Sequence, residues 1–87
     1  MDLYSTNKNC NVLLDGLKRI ASENTERPLP VSVSFLCYRL RIDPLEALKH
    51  LGNWADCCAR TFNRSAKFDR VEVKDTGPDY VFIIHGL

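Results

Sequence analysis

The hydrophobic period changes once along this chain, at Asn63-Arg64-Ser65, and that change limits what the chain can fold into. Before it, apolar residues recur at spacings of three and four. After it, Val71 and Val73 alternate with Arg70, Glu72 and Lys74, which predicts a half-buried strand within Phe68 to Asp75. Asp75-Thr76-Gly77-Pro78-Asp79 supplies a turn, and Tyr80-Val81-Phe82-Ile83-Ile84 a returning strand of aromatic and β-branched residues. Helices first and one hairpin last is an α+β order, without the alternating units that build a parallel sheet.

Four segments fill the helical part. Leu13, Leu17 and Ile20, flanked by Leu14 and Ala21, predict an amphipathic helix over about residues 10–22, with residues 1–9 as a flexible N-terminus. Gly16 within it marks a close packing contact. The prolines of Asn24-Thr25-Glu26-Arg27-Pro28-Leu29-Pro30 predict a linker that ends in a short edge strand at Leu29 to Val31. Ser32 or Ser34 can cap a second helix with apolar Phe35, Leu36 and Leu40, and with Arg39 and Arg41 near its end. In Asp43-Pro44-Leu45-Glu46, Asp43 fits the N-cap, Pro44 the first helical position and Glu46 the third. The stripe Leu48, Leu51, Ala55, Cys58, Phe62 keeps helical spacing across Gly52 and Asn53. Because Gly52 suits a helix end and Asn53 a helix start, two short helices are expected, over 44–51 and 54–62.

At 87 residues there is core enough for one small domain and not for two. A net charge of +1 excludes coating nucleic acid through bulk charge, so any such binding must be local. No basic-then-apolar leader and no bilayer-length apolar run is present, and the chain reads as a soluble, unprocessed protein without a membrane partner. Four cysteines, Cys10, Cys37, Cys57 and Cys58, lack any CxxC spacing, and His50 and His85 stand far apart. Reduced thiols in the cytoplasm or nucleus, and no metal, are expected. The one Cys/His coincidence is His50 and Cys57, seven apart, and it dissolves if the helix stops at Gly52. With no phosphate loop and no paired acids, the chain reads as a non-enzyme without a cofactor.

Charge is distributed unevenly. Cations outnumber acids between residues 35 and 70, and acids outnumber cations from 71 onward. The candidate nucleic-acid face comprises Arg39, Arg41, Lys49, Arg60, Asn63, Arg64 and Lys67, the last four aligned as a ridge if the helix continues. The alternative for that ridge is a solvated helix end whose cations suit the dipole. Asp75 and Asp79 at the hairpin tip would repel duplex phosphates. A second surface is the last strand, apolar on both faces, where Tyr80, Phe82 and Ile83 could meet a partner or be covered by Leu3 and Tyr4. Trp54 is either a core anchor or an interface anchor.

Helices followed by a hairpin laid across one side form the winged-helix arrangement, here a compact cluster of three to four helices containing a helix-turn-helix. Within it, the short helix carrying Tyr38, the Leu51-Gly52 step, and the strands Val71-Glu72-Val73 and Tyr80-Val81-Phe82-Ile83 resemble the LOTUS (OST-HTH) domain, a winged-helix variant of animal germ-cell proteins. The resemblance covers Pro30 through Ile84. It implies a module of germ granules that binds RNA, including structured guanine-rich RNA, or docks onto a DEAD-box RNA helicase. The expectation is therefore a non-catalytic module for RNA or for a protein of an RNA-handling complex. The alternatives are a protein–protein adaptor, monomeric or weakly homodimeric, and a duplex-DNA regulator.

Overall fold

A computed structural model describes residues 3–86, with side chains from Lys8 onward. The elements run α1 (Leu3–Glu23), β1 (Leu29–Ser32), α2 (Val33–Arg39), α3 (Pro44–Ser65), β2 (Asp69–Asp75) and β3 (Tyr80–Gly86). This is an α+β domain with three helices and one antiparallel sheet among the described residues. The sheet order is β1-β3-β2, so the C-terminal hairpin gains its third strand from the segment between α1 and α2.

Two cross-strand rows form the inner face of the sheet: Leu29, Ile84 and Val71 in one, Val31, Phe82 and Val73 in the other. Leu36 of α2 and Trp54, Cys58 and Phe62 of α3 share one core cluster with these rows, and Leu13 and Leu17 of α1 join it from the far side of α3 and α2. Trp54, Phe82, Leu13, Leu17 and Ile84 are fully enclosed, and each large apolar side chain so buried contributes about 1.5–3 kcal/mol. The outer rows, Pro30, Ile83 and Glu72, then Ser32, Val81 and Lys74, mix apolar and polar residues and are only partly covered. Pro30, which has no N–H to donate, stands on an edge strand.

Two boundaries differ from expectation. First, α1 begins at Leu3, so the segment from Leu3 onward that reads as a flexible terminus has helical backbone, while Met1 and Asp2 lie outside the described residues. Tyr4-Ser5-Thr6-Asn7-Lys8-Asn9 has no apolar stripe to betray a helix; once the packed part is formed, extension costs little because each added residue closes a hydrogen bond. The expected cover of the last strand by Leu3 and Tyr4 likewise falls outside the described side chains.

Second, the two helices expected over 44–51 and 54–62 are one, α3, unbroken through Gly52 and Asn53. Gly52 is there for space rather than for a helix end. A Cβ at this position would stand 2.8 Å from the Tyr80 hydroxyl and 3.1 Å from its Cζ, so the bare backbone makes room for the β3 tyrosine. At Gly16 the expected close contact is present, since a Cβ there would meet Leu40 Cδ1 at 3.1 Å.

Caps and one ionic hub fix the connections. Ser32 is the N-cap of α2, accepting from Phe35 N at 3.2 Å, and Asp43 caps α3 by accepting from Leu45 N at 3.1 Å, with Pro44 behind it. Glu46 lies 3.7 Å from His50 Nε2, one turn further along. Arg27 donates from Nε to Asp69 at 2.9 Å and from its terminal nitrogens to the carbonyls of Ala21, Asn24 and Glu26, which ties the end of α1 to the start of β2.

Candidate interaction surfaces

The seven cationic and amide candidates separate into two groups. Arg39, in the last turn of α2, Arg41, in the α2–α3 turn, and Lys49, in the second turn of α3, are all exposed. Arg60, Asn63 and Arg64 belong to the other end of α3 and Lys67 lies just beyond it, with Lys49 and Arg60 about 16 Å apart along the axis at 1.5 Å per residue.

The four-residue ridge expected at that far end is not assembled. Asn63 accepts from Val71 N at 2.8 Å and donates to Val71 O at 3.0 Å, so its amide pairs with β2 as a neighbouring strand would. Arg60 lies 3.0 Å from Asp56, an exposed pair worth under about 1 kcal/mol that still offsets its charge. The helix ends at Ser65 with Ala66 as its cap, so Lys67 leaves the helical register and borders a shallow cleft with Lys18, Phe62 and Phe68. Arg64 alone stays on the helix without a carboxylate partner among the described residues.

Arg41 is the unusual residue of the first group. Its φ of 59° lies in the left-handed region, where a glycine is customary. Arg41 N bonds to Tyr38 O at 3.1 Å and Ile42 N to Cys37 O at 3.0 Å, the paired bonds of a Schellman helix end. A non-glycine residue there costs about 1 kcal/mol. In return the turn projects a guanidinium where glycine would leave bare backbone.

Around this turn the surface is apolar as well as basic. Tyr38 is 78% exposed, Leu45 69% and Leu48 75%. Leu45, Leu48 and Lys49 are helical neighbours at spacings of three and four. Leu48, which belongs to the apolar stripe of α3, and Phe35, one of the apolar residues of α2, are both exposed. Leu48 has the phase of the stripe but opens onto a cleft of about 340 Å³ between α3 and the hairpin turn, where Gly77, Pro78 and Tyr80 stand opposite. Phe35 forms a wall of a second groove of about 340 Å³, between α1 and α2, floored by Gly16, Leu36 and Leu40. Periodicity records phase and not cover, which is why this exposed set was missed.

The acids at the hairpin tip are engaged rather than free. Asp75 accepts from Gly77 N at 2.8 Å and closes the turn, in which Gly77 has a φ of 97°. Asp79 is turned toward α2: it accepts from Ser32 Oγ at 2.6 Å, Ser34 Oγ at 2.9 Å and Ser34 N at 3.1 Å. Partial burial opposes its charge, but the hydrogen bonds from Ser32, Tyr80 N and Ser34 outweigh it and hold the carboxyl below its ordinary range. These donors are neutral and leave the negative charge of Asp79 in place, so the tip keeps the charge that would repel duplex phosphates.

Of the partner-facing candidates, Trp54 and Phe82 have no exposed surface and present nothing to a partner; they are core residues. Tyr80 is half-buried over Gly52, and Ile83 is half-buried on the outer sheet face between Pro30 and Glu72. The Trp54 ring lies 5.6 Å from that of His50. Although α3 is continuous, His50 and Cys57 are two turns apart, and His50 is occupied by Glu46 and Trp54. Cys57 instead lies one helical turn beyond Trp54, whose carbonyl oxygen is 3.7 Å from Cys10 Sγ of α1. No three metal-ligating side chains converge among the described residues, and none of their helices is long and apolar enough to cross a membrane.

No protein-family profile matches this chain, and no curated protein or solved structure is similar to it.

Proposed function

We propose that this chain is a non-catalytic winged-helix module of LOTUS-like type whose α2–α3 face docks a protein of an RNA-handling assembly. The winged-helix reading is supported by the element order and by β1 lying beside β3 in the sheet, with a tight turn joining α2 to α3. The docking reading rests on one observation: Tyr38, Leu45 and Leu48 are exposed around a turn held by Arg41 in a strained conformation. Exposed aliphatic side chains on a helix face are what a protein interface desolvates, and phosphates give them no partner. The RNA-handling context comes from the LOTUS resemblance alone.

A second reading, direct RNA binding, is favoured by the exposed Tyr38 ring, on which a base could stack, and by the exposed cations Arg39, Arg41 and Lys49 of the same α2–α3 segment. Duplex DNA fits less well, since Leu45 and Leu48 stand where a recognition helix offers base-reading groups.

The experiment that separates these compares wild type, Leu45→Glu/Leu48→Glu and Arg41→Glu/Lys49→Glu. Each is titrated with structured and single-stranded RNA at two salt concentrations and used for affinity capture from extract treated with ribonuclease. Docking predicts a ribonuclease-resistant partner lost with the leucine variant. Salt-dependent RNA affinity that falls with the cation variant and ignores the leucine variant would replace it with the second reading. Neither result would end both.

A further inference from the structure

We propose that Cys10 of α1 and Cys57 of α3 form a reversible disulfide when the protein meets hydrogen peroxide, making this pair a modification site. The proposal is independent of the docking face. Cys10 Sγ lies 3.7 Å from the Trp54 carbonyl oxygen of α3, and Cys57 follows Trp54 by one helical turn. Cys10 therefore stands against the turn of α3 that ends in Cys57, across the α1–α3 seam. Cys57 is the one partly exposed cysteine, whereas Cys10, Cys37 and Cys58 are buried. An oxidant therefore reaches Cys57 first, and Cys10 is the thiol beside it.

The chemistry balances without a cofactor. The Cys57 sulfur attacks one peroxide oxygen; an S–O bond forms, the O–O bond breaks, and the leaving oxygen departs as water with the Cys57 proton. Cysteine is thereby oxidised to the sulfenic acid and peroxide reduced. The Cys10 sulfur then attacks the Cys57 sulfur; an S–S bond forms, the S–O bond breaks, and hydroxide leaves with the Cys10 proton as a second water. Burial keeps Cys10 protonated at neutral pH, so the second step is slow and accelerates with pH.

The bond would staple α1 to α3 around a loop that contains β1 and α2, restricting the unfolded chain and raising the melting temperature by about 10–20 °C. The test treats the native wild-type protein with hydrogen peroxide, blocks remaining thiols in denaturant, and maps the peptides by mass. The expected product is an intramolecular Cys10–Cys57 peptide pair lacking two hydrogens, reversed by dithiothreitol. It is lost in Cys57→Ser and retained in Cys37→Ser. Peroxide treatment of the denatured chain should scatter the linkages over several pairs. A Cys57 that advances to sulfinic acid while Cys10 stays free to alkylate would overturn the proposal. So would a linkage to Cys37 or Cys58, or one between two molecules. Because the decisive reading is on wild type, it does not depend on the variants folding.

Discussion

Asp79 accepts a 2.6 Å hydrogen bond from the hydroxyl of Ser32, 47 positions earlier in the chain, and so joins the hairpin to the N-cap of α2. The same carboxylate takes both the N–H and the hydroxyl of Ser34. One side chain thus fixes the hairpin to the helix that carries Tyr38. Its native pKa lies below the ordinary 3.8, so the unfolded chain binds the proton more tightly. The stability it contributes is complete above about pH 4 and is lost as pH falls through the native value. Asp79→Asn should flatten this acid limb in urea titrations across that range. Asp79→Ala should cost about 1–2 kcal/mol at neutral pH, a fall of about 5–10 °C in melting temperature.

Gly52 and Tyr80 should prove coupled. An alanine inside an exposed helix turn is ordinarily worth about 1 kcal/mol over glycine. Here the new methyl would drive into the Tyr80 ring, whose hydroxyl stands 2.8 Å from the Cβ position. Gly52→Ala should therefore destabilise the wild type and stabilise the Tyr80→Ala background. A double-mutant cycle by denaturant unfolding should give a coupling above about 1 kcal/mol. Additive effects would mean that the ring moves aside freely.

Arg41→Gly separates stability from function. Glycine relieves the positive φ at the end of α2 and should raise stability by about 1 kcal/mol. It also deletes the guanidinium from the docking face. Thermal melting should rise while partner capture, or RNA affinity under the second reading, falls. An unaltered interaction would remove Arg41 from the site.

Asn63 should behave as a structural residue. Asn63→Ala leaves the N–H and carbonyl of Val71 without their partner, at a cost of about 1–2 kcal/mol. Arg64→Ala, one residue on, should be neutral within about 0.5 kcal/mol. Equal melting temperatures for the two variants would contradict the role assigned to Asn63.

What could be read from the sequence was what the chain encodes locally. Asp43-Pro44 starts a helix through its own backbone and side chain, and the alternation around Val71 and Val73 needs only the pleat of a strand. Pro30 likewise identifies an edge strand by its missing N–H. The rest was set across distance. Gly52 resembles a helix end until Tyr80, from the far strand, is seen above it. Asn63 looks like a member of a polar ridge until Val71 turns back beside it. Leu48 carries the phase of the core without any element to cover it, and Arg41 occupies a helix end that no glycine announces. The candidate site was thus half legible: its cations were evident in the charge distribution, and its apolar centre was hidden in a stripe that resembled core.

The buried thiols should make stability fall at alkaline pH. Burial, together with contacts to the neighbouring Cys57 and Cys58, pushes Cys10 from 9.0 up to about 12; burial and the nearby Asp79 push Cys37 to about 11; burial and the neighbouring Cys57 and Cys37 push Cys58 to about 12. For a group raised in the native state, stabilisation is complete below the unfolded value and is lost as pH rises through the native one. The window therefore opens near pH 9 and extends to about 12. At neutral pH the same burial predicts that iodoacetamide alkylates Cys57 rapidly and the other three only on unfolding. Conversion of Cys58 to alanine should remove part of the alkaline loss in urea titrations and leave the Cys57 alkylation rate unchanged. Rapid modification of more than one thiol in the native protein would show that the α1–α3 seam opens far more often than its packing allows.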